Sequence, residues 1–281
     1  MRKILTAHSI VRKIKKRLLK ERGNFSKLAL ASVIAKDEPA THSYCIAQEK
    51  WSKLLNVDYH KIQIKSGVSF KEALKIIEDL NSKDFQGIII NKPLPREWDE
   101  FSLLERIDVR KDIEGLNPYN LGRVFFNKAI FVPPTVLSVL ELLNLSKCEV
   151  YGKNIVIVGF SNILGKPLSI ILADRLATVS VTHIGTFEAK RLPFYVSNAD
   201  ILITAVGKPH FIKGSWIKEG AIVIDVGIGK LKGKLAGDVE FKEACKRASF
   251  ITPVPGGVGV LTVVFLFSNL LKAAKFQEKD S

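Results

Sequence analysis

Short runs rich in Val, Ile and Leu alternate along this chain with amphipathic stretches of helical spacing, and the alternation persists through both halves. Such a pattern predicts an α/β architecture with mostly parallel sheets, because parallel strands need a crossover that is usually a helix. In the first half, strands are predicted over 27–35, 59–64 and 86–90, with helices over 42–56 and 69–80. In the second half, strands are predicted over 154–158, 178–182, 200–206, 221–226 and 250–252, with helices over 165–176 and 187–196. A helix over 135–144, entered through Pro133-Pro134, connects the halves. The length of 281 residues suits two lobes, each with its own core. Two lobes with a cleft between them is the expected arrangement.

Hydrophobic residues at 47% and charged residues at 25% argue against disordered, collagen-like and disulfide-scaffold classes. Cys45, Cys148 and Cys245 lie far apart without metal-ligand spacing, which predicts a reduced cytoplasmic protein with no metal site. The longest apolar stretch, 258–271, is interrupted by Thr262, Ser268 and Asn269 and reads as a buried C-terminal helix rather than a membrane span. The net charge of +15 is lopsided: the first 36 residues carry eleven Lys and Arg against Glu21 alone. Such a segment is open to a nucleic-acid arm, a membrane-surface helix or a presequence. Ile10, Val11, Ile14, Leu18 and Leu19 instead form a stripe at helical spacing, the mark of a helix docked on a domain with a solvated basic face.

The segment 154–167 reads as a buried strand, a tight turn at Gly159 and a helix start at Gly165-Lys166-Pro167. A helix N-terminus there offers free N–H groups to a phosphate. Ser161 stands where a second fingerprint glycine would be, so a purely structural turn remains an equal reading. Gly207-Lys208-Pro209 and Asp225-Val226-Gly227 follow two further strands, and several glycine-bearing loops on one sheet edge suit a dinucleotide.

Four longer motifs are more specific. They are Gly87 to Pro95 ending in Asn91-Lys92-Pro93-Leu94-Pro95, Lys111-Asp112-Ile113-Glu114-Gly115, Gly159-x-Ser161-x3-Gly165-x-Pro167, and Thr252-Pro253-Val254-Pro255-Gly256-Gly257-Val258-Gly259. In this order they resemble the bifunctional methylenetetrahydrofolate dehydrogenase/methenyltetrahydrofolate cyclohydrolase family over nearly the whole chain. The resemblance implies a catalytic folate-binding lobe, 1–132 with 257–281, and a Rossmann-like NAD(P)-binding lobe, 133–256. It also implies a C-terminal helix rejoining the first lobe, a homodimer and folate in the cleft. The implied reactions are oxidation of 5,10-methylenetetrahydrofolate to the methenyl form and its hydrolysis to 10-formyltetrahydrofolate. Implied catalytic positions are Tyr44, Gln48, Asn91 and Glu114, and implied substrate contacts are Tyr44, Pro93, Leu94, Glu114, Pro255, Gly256 and Gly257. Implied cofactor positions are Gly159, Phe160, Ser161, Gly165, Pro167, His183, Gly207, Pro209, Asp225, Gly227 and Thr252.

This chain departs from the family at its polar centre. The family has Lys four residues after the tyrosine, where this chain has Gln48, and Lys50 lies ~240° round the helix from Tyr44 against ~40° for Gln48. Asn91 replaces Gln, and Glu114 replaces Asp at the position expected to hold the pterin. Hydride transfer needs alignment above all, whereas hydrolysis needs a proton moved, and a carboxamide has no protonation equilibrium near neutral pH. Hydrolysis is therefore expected to be impaired more than oxidation. Lys92 beside Asn91 is either a relocated cation or a surface lysine.

For the cofactor, Phe160, Ile184 and Gly185 offer no side-chain donor to a 2′-phosphate, so NADP is not expected to be preferred over NAD. Lys166 or Lys190 reaching that phosphate is the alternative. His183 serves either the adenosine or strand-end packing. Two rivals to an active enzyme stand beside it: a degenerate relative that binds folate or nucleotide without turnover, and a nucleic-acid-associated protein using the basic first helix.

Overall fold

The computed structural model describes residues 3–36 and 38–279. It falls into two compact units, one formed by Met1–Arg12 and Thr135–Thr262, the other by Lys13–Pro134 and Val263–Ser281.

The unit built on Lys13–Pro134 carries a parallel sheet in the order Asp58–Gln63, Ala29–Ile34, Gly87–Asn91. The central strand is buried at every position, as a strand covered on both faces must be, which is why 28–35 is an almost unbroken apolar run. Ser32 is its one polar residue. The Phe70–Asn81 helix is started by a reciprocal cap in which Ser69 Oγ accepts from the Glu72 N–H and Glu72 accepts from the Ser69 N–H. Pro39 in the first turn of the Pro39–Leu54 helix fixes where that helix begins, three residues earlier than the spacing suggests. Asn269, on the last helix, donates to the Ile113 and Val132 carbonyls at 2.8 and 3.0 Å and so ties the C-terminal segment into this unit.

The other unit carries a six-stranded, wholly parallel sheet in the order Lys3–Ile4, Phe250–Ile251, Ile222–Asp225, Ile201–Thr204, Asn154–Val158, Thr178–Thr182. The first strand was not expected, and its place differs from a lobe boundary that keeps the N-terminus with 13–132. It pairs with Phe250–Ile251, and the Ala7 N–H then donates to the Gly256 carbonyl at 3.1 Å. The chain order reverses at Asn154–Val158, whose neighbours come later in the chain on both sides. Ligands favour the crevice at such a switch point. The helix expected over 187–196 is two helices, Ile184–Glu188 and Leu192–Ser197, the second with Pro193 in its first turn. A hairpin, Gly229–Leu231 with Lys234–Ala236, turns through Lys232 and Gly233, both at positive φ as a tight two-residue turn requires.

In the His8–Arg22 helix, Ile10, Ile14 and Leu18 are buried, while Leu19, expected in the same stripe, is exposed. The Val258–Lys279 helix is, by length and composition, apolar enough to cross a membrane, unlike the shorter run expected, yet its most apolar window is 67% buried within the protein. Cys45, Cys148 and Cys245 form no disulfide. Among the described residues no group of three or more His, Cys, Asp or Glu is placed to hold a metal.

Candidate active site

Tyr44 and Gln48 lie one turn apart on the Pro39–Leu54 helix, and Asn91 ends the Gly87–Asn91 strand. Three side chains here close a buried ring. Ser32 Oγ donates to Gln48 Oε1 at 2.9 Å, Gln48 Nε2 donates to Asn91 Oδ1 at 3.0 Å, and Asn91 Nδ2 donates to Ser32 Oγ at 2.8 Å. Tyr59 OH adds a second donor to Gln48 Oε1 at 2.9 Å, and Asn91 Nδ2 also reaches the Val33 carbonyl at 2.9 Å. Gln48 is 0% exposed and Asn91 4%. Buried amides satisfied in this way are rigid, and every atom of the ring is neutral.

Ser32 and Tyr59 were not singled out in the sequence. A lone hydroxyl in a fully buried run was the available signal for Ser32, since an interior hydroxyl needs a partner. Lys50 is exposed, in keeping with its place on the helix. The Lys92 ammonium pairs with Glu100, and its carbonyl accepts from Thr41 Oγ1 at 2.8 Å. The cation is therefore engaged away from the ring.

In the Lys111–Gly115 motif, two of the charges serve the fold. The Lys111 ammonium donates to the Asn81 and Lys83 carbonyls, both at 2.7 Å. Asp112 Oδ2 accepts from the Asn117 N–H at 2.8 Å and from Asn120 Nδ2 at 2.9 Å. Gly115 has φ 64°, and a Cβ there would lie 3.0 Å from the Phe131 carbonyl oxygen, so only glycine fits. Half-buried Glu114 is different. Burial, with the charge of Asp112 adding to it and that of Lys92 opposing, pushes its carboxyl up to about 7. Burial and the charge of Glu114 together also raise the Tyr44 hydroxyl, which places the two groups in one electrostatic neighbourhood. Pro93 and Leu94 are half-buried just beyond Asn91. The remaining residues expected to touch folate, Pro255, Gly256 and Gly257, belong to the other unit.

There, the strand ends line up as a dinucleotide site needs. Gly159 has φ 122°, and a Cβ on it would lie 2.6 Å from the Ala205 carbonyl oxygen, across the switch point. A Cβ on Gly165 would lie 2.1 Å from the Gly159 carbonyl oxygen, so the turn closes only with two glycines. Ser161 Oγ accepts from the Leu164 N–H at 3.3 Å, and the Gly165–Asp174 helix begins without a side-chain cap from Leu164. Pro167 is buried in its first turn. This bare helix start beside backbone stripped of Cβ atoms fits the pyrophosphate of a dinucleotide.

His183, Thr252 and Asp225 make bonds within the protein. His183 caps the Ile184–Glu188 helix, its Nδ1 accepting from the Gly185 N–H at 3.3 Å. Thr252 and Asp225 are buried, and Thr252 Oγ1 accepts from the Asp225 N–H at 2.7 Å. Gly207 has φ 75°, with the Ile228 carbonyl oxygen 3.8 Å from where a Cβ would lie, and Pro209 packs on Gly229, where a Cβ would lie 2.6 Å from its ring. Phe160 is 53% exposed, with Lys166 Nζ 5.1 Å from its ring centroid. Asp238, absent from the expected set, accepts from the backbone on both sides of Gly207.

Residues 4–114 match the tetrahydrofolate dehydrogenase/cyclohydrolase catalytic domain, and residues 133–278 match the NAD(P)-binding domain of the same family. The bifunctional protein FolD of a Nitratiruptor species is 39% identical over 283 residues, covering 99% of both chains. Among solved structures, the bifunctional FolD methylenetetrahydrofolate dehydrogenase/cyclohydrolase from Campylobacter jejuni superposes with a TM-score of 0.93 at 35% identity, over 99% of this chain and 100% of that one. The Trypanosoma brucei methylenetetrahydrofolate dehydrogenase-cyclohydrolase, complexed with NADP cofactor and inhibitor, matches with a TM-score of 0.93 at 31% identity, over 99% of each chain. The Tyr44 helix thus lies in the catalytic-domain match and the glycine turn with the switch-point edge in the NAD(P)-binding match, and the chain belongs to the tetrahydrofolate dehydrogenase/cyclohydrolase family.

Proposed function

We propose that this protein works in one-carbon folate metabolism, oxidising 5,10-methylenetetrahydrofolate to 5,10-methenyltetrahydrofolate with NAD or NADP, and that it hydrolyses the methenyl product to 10-formyltetrahydrofolate only weakly. The oxidised dinucleotide, when bound, accepts the hydride from the methylene carbon. For that step the chain supplies placement: the Gly159–Gly165 turn and the helix start hold the pyrophosphate, and Tyr44, Pro93 and Leu94 bound the folate. The Glu114 carboxylate oxygens accept pterin N–H groups. Hydrolysis adds water to the methenyl carbon and releases a proton, and Gln48 Nε2, committed to Asn91, can orient a ligand but takes up no proton.

The observation that carries this split is the neutral, hydrogen-bonded ring of Ser32, Gln48 and Asn91 in place of an ionisable ammonium. Folate-dependent reduction of NAD and NADP by the purified chain, followed spectrophotometrically, tests the oxidation. Absence of any reduction with either cofactor overturns the reading.

The dinucleotide reading favours no strong NADP preference, since Phe160, Ile184 and Gly185 give a 2′-phosphate no side-chain donor; Lys166, beside the Phe160 ring, or Lys190 is the cation that would reach it. The same reading has the protein act as a cytoplasmic homodimer, with folate rather than nucleic acid or membrane as its partner. Support for the dimer comes from the open outer edge of Thr178–Thr182, near the exposed Tyr151, Leu176 and Phe194.

A further inference from the structure

Two buried carboxylates lie behind the sheet edge assigned to the dinucleotide. Asp225 ends the Ile222–Asp225 strand and Asp238 follows the hairpin, and they are 4% and 1% exposed. Asp238 spans the turn that carries Gly207: Oδ2 accepts from the Val206 N–H at 2.6 Å and Oδ1 from the Lys208 N–H at 2.8 Å. Asp225 in turn holds the segment that carries Asp238. Its Oδ1 accepts from the Asp238 N–H and from the Gly227 N–H, each at 3.1 Å, and its Oδ2 accepts from the Val239 N–H at 2.9 Å. Thr204 Oγ1, from the strand that leads into the turn, donates to Asp225 Oδ1 at 3.1 Å.

Two glycines make room for this arrangement, one for each acid. A Cβ on Gly227 would lie 2.1 Å from the Asp238 carboxylate, and a Cβ on Gly237 would lie 2.1 Å from Asp225 Oδ2. Gly207 itself is not a packing glycine, since a Cβ there would meet only the Ile228 carbonyl oxygen at 3.8 Å. What the turn needs at that position is its φ of 75°.

Burying two carboxylates is costly, and burial raises both above the ordinary aspartate range. A turn that only had to connect two strands needs no such device. Charge-assisted hydrogen bonds to the N–H groups of one turn hold its backbone more firmly than neutral ones.

We propose that Asp238, seated by Asp225, is a positioning residue for the dinucleotide: it fixes the 206–208 turn so that the bare backbone of Gly207 forms a preset wall of the cofactor site. The inference rests on the dinucleotide reading given above. It assigns Asp225 a role behind the site rather than contact with the cofactor.

The test uses the full chain with Asp238→Ala, Asp238→Asn and Thr204→Val, titrated with NAD and with NADP and assayed for the oxidation. Loss of two charge-assisted bonds is expected to raise the KM and Kd for dinucleotide about tenfold or more in Asp238→Ala. The kcat at saturating cofactor and the KM for folate stay within about threefold, because no reacting atom is touched. Asp238→Asn, which keeps one acceptor oxygen, recovers part of the loss. Should both Asp238 variants fail to fold, Thr204→Val, which removes one donor from Asp225, shows the same sign at about twofold to fivefold. Amide hydrogen exchange provides a readout independent of turnover: Val206 and Lys208 lose protection in the variants, while Ile201–Thr204 keeps it.

An unchanged dinucleotide KM in folded Asp238→Ala overturns the proposal. Parallel losses for cofactor and folate together with a lowered melting temperature also overturn it, since they mark a merely structural acid. Wild-type protein that binds neither dinucleotide overturns the functional reading instead, and the exchange experiment then still decides whether Asp238 holds the turn.

Discussion

Gln48 Nε2 donates to Asn91 Oδ1 at 3.0 Å, joining the middle of a helix to the last residue of a strand 43 positions later. Both residues differ from the family pattern, and they bond to each other. The family's pair is Lys and Gln, and here a shorter amide meets a neutral one, so the two changes leave a closed ring with no ionisable ammonium in it.

That pairing sets the first expectation. In Gln48→Lys the new ammonium faces Asn91 Oδ1, Ser32 Oγ and Tyr59 OH, all able to accept, and burial lowers its pKa toward neutrality. Hydrolysis of methenyltetrahydrofolate should rise by about 10²–10⁴, the usual worth of general acid–base help, while oxidation changes by less than about tenfold. Adding Asn91→Gln and Glu114→Asp should raise hydrolysis further. Steady-state rates of both reactions for the single and triple variants check this.

Glu114 sets the second. Its carboxyl, pushed up to about 7 by burial, ionises in the physiological range. A carboxylate that accepts pterin N–H groups then binds folate more tightly as pH rises through about 7. Glu114→Gln should weaken folate and flatten that dependence, read by titration between about pH 6 and pH 8.

The same shift makes a statement about stability. An acid whose folded pKa lies above its unfolded one leaves the folded state holding extra protons between about 4.5 and 7, so its contribution to stability falls as pH rises through that window. Glu114→Gln should melt higher than wild type at about pH 8, and the gap should close toward about pH 5. A gap that widens toward low pH contradicts the assignment.

The glycine turn sets the fourth. A methyl group on Gly165 would overlap the Gly159 carbonyl oxygen, backbone against backbone, at 2.1 Å. Gly165→Ala should therefore lower the melting temperature and abolish dinucleotide binding in calorimetric titration, since neither the turn nor the helix start can shift without the other.

Lys166 sets the fifth. Its ammonium lies 5.1 Å from the ring of Phe160, the residue after Gly159 that offers a 2′-phosphate no side-chain donor. Wild type should prefer NADP over NAD by less than tenfold, about 1.4 kcal/mol. Lys166→Ala should move the ratio further toward NAD, measured by the two cofactors' kcat/KM values at physiological salt.

The parallel α/β plan was legible because buried strands and amphipathic helices differ in period, and the glycine and proline motifs fixed where strands stop. Lys3–Ile4 was not, since a two-residue strand leaves no period to read and takes its pairing from residues 250–251. Within 187–196 the helical spacing runs on unbroken, and it is Pro193, in the first turn of Leu192–Ser197, that marks the start of a second helix. In the site, Tyr44, Gln48, Asn91 and Glu114 are named by the family resemblance, and the fold bonds Gln48 to Asn91 and sets Glu114 in the electrostatic neighbourhood of Tyr44. Ser32, Tyr59 and Asp238 were hidden because their roles are long-range bonds: Ser32 meets Gln48 across 16 positions, and Asp238 meets Val206 across 32. A buried polar residue announces that it has a partner, but not which one.

One progress curve tests the central claim most directly. Purified protein is given 5,10-methylenetetrahydrofolate and saturating NAD or NADP, and the reduced cofactor, the methenyl product and 10-formyltetrahydrofolate are followed together against an enzyme-free control. With a neutral ring in place of a proton carrier, methenyltetrahydrofolate should accumulate nearly in step with the reduced cofactor, and the 10-formyl product should appear little faster than in the control. Formation of 10-formyltetrahydrofolate at the rate of cofactor reduction, with no methenyl form building up, would contradict the account.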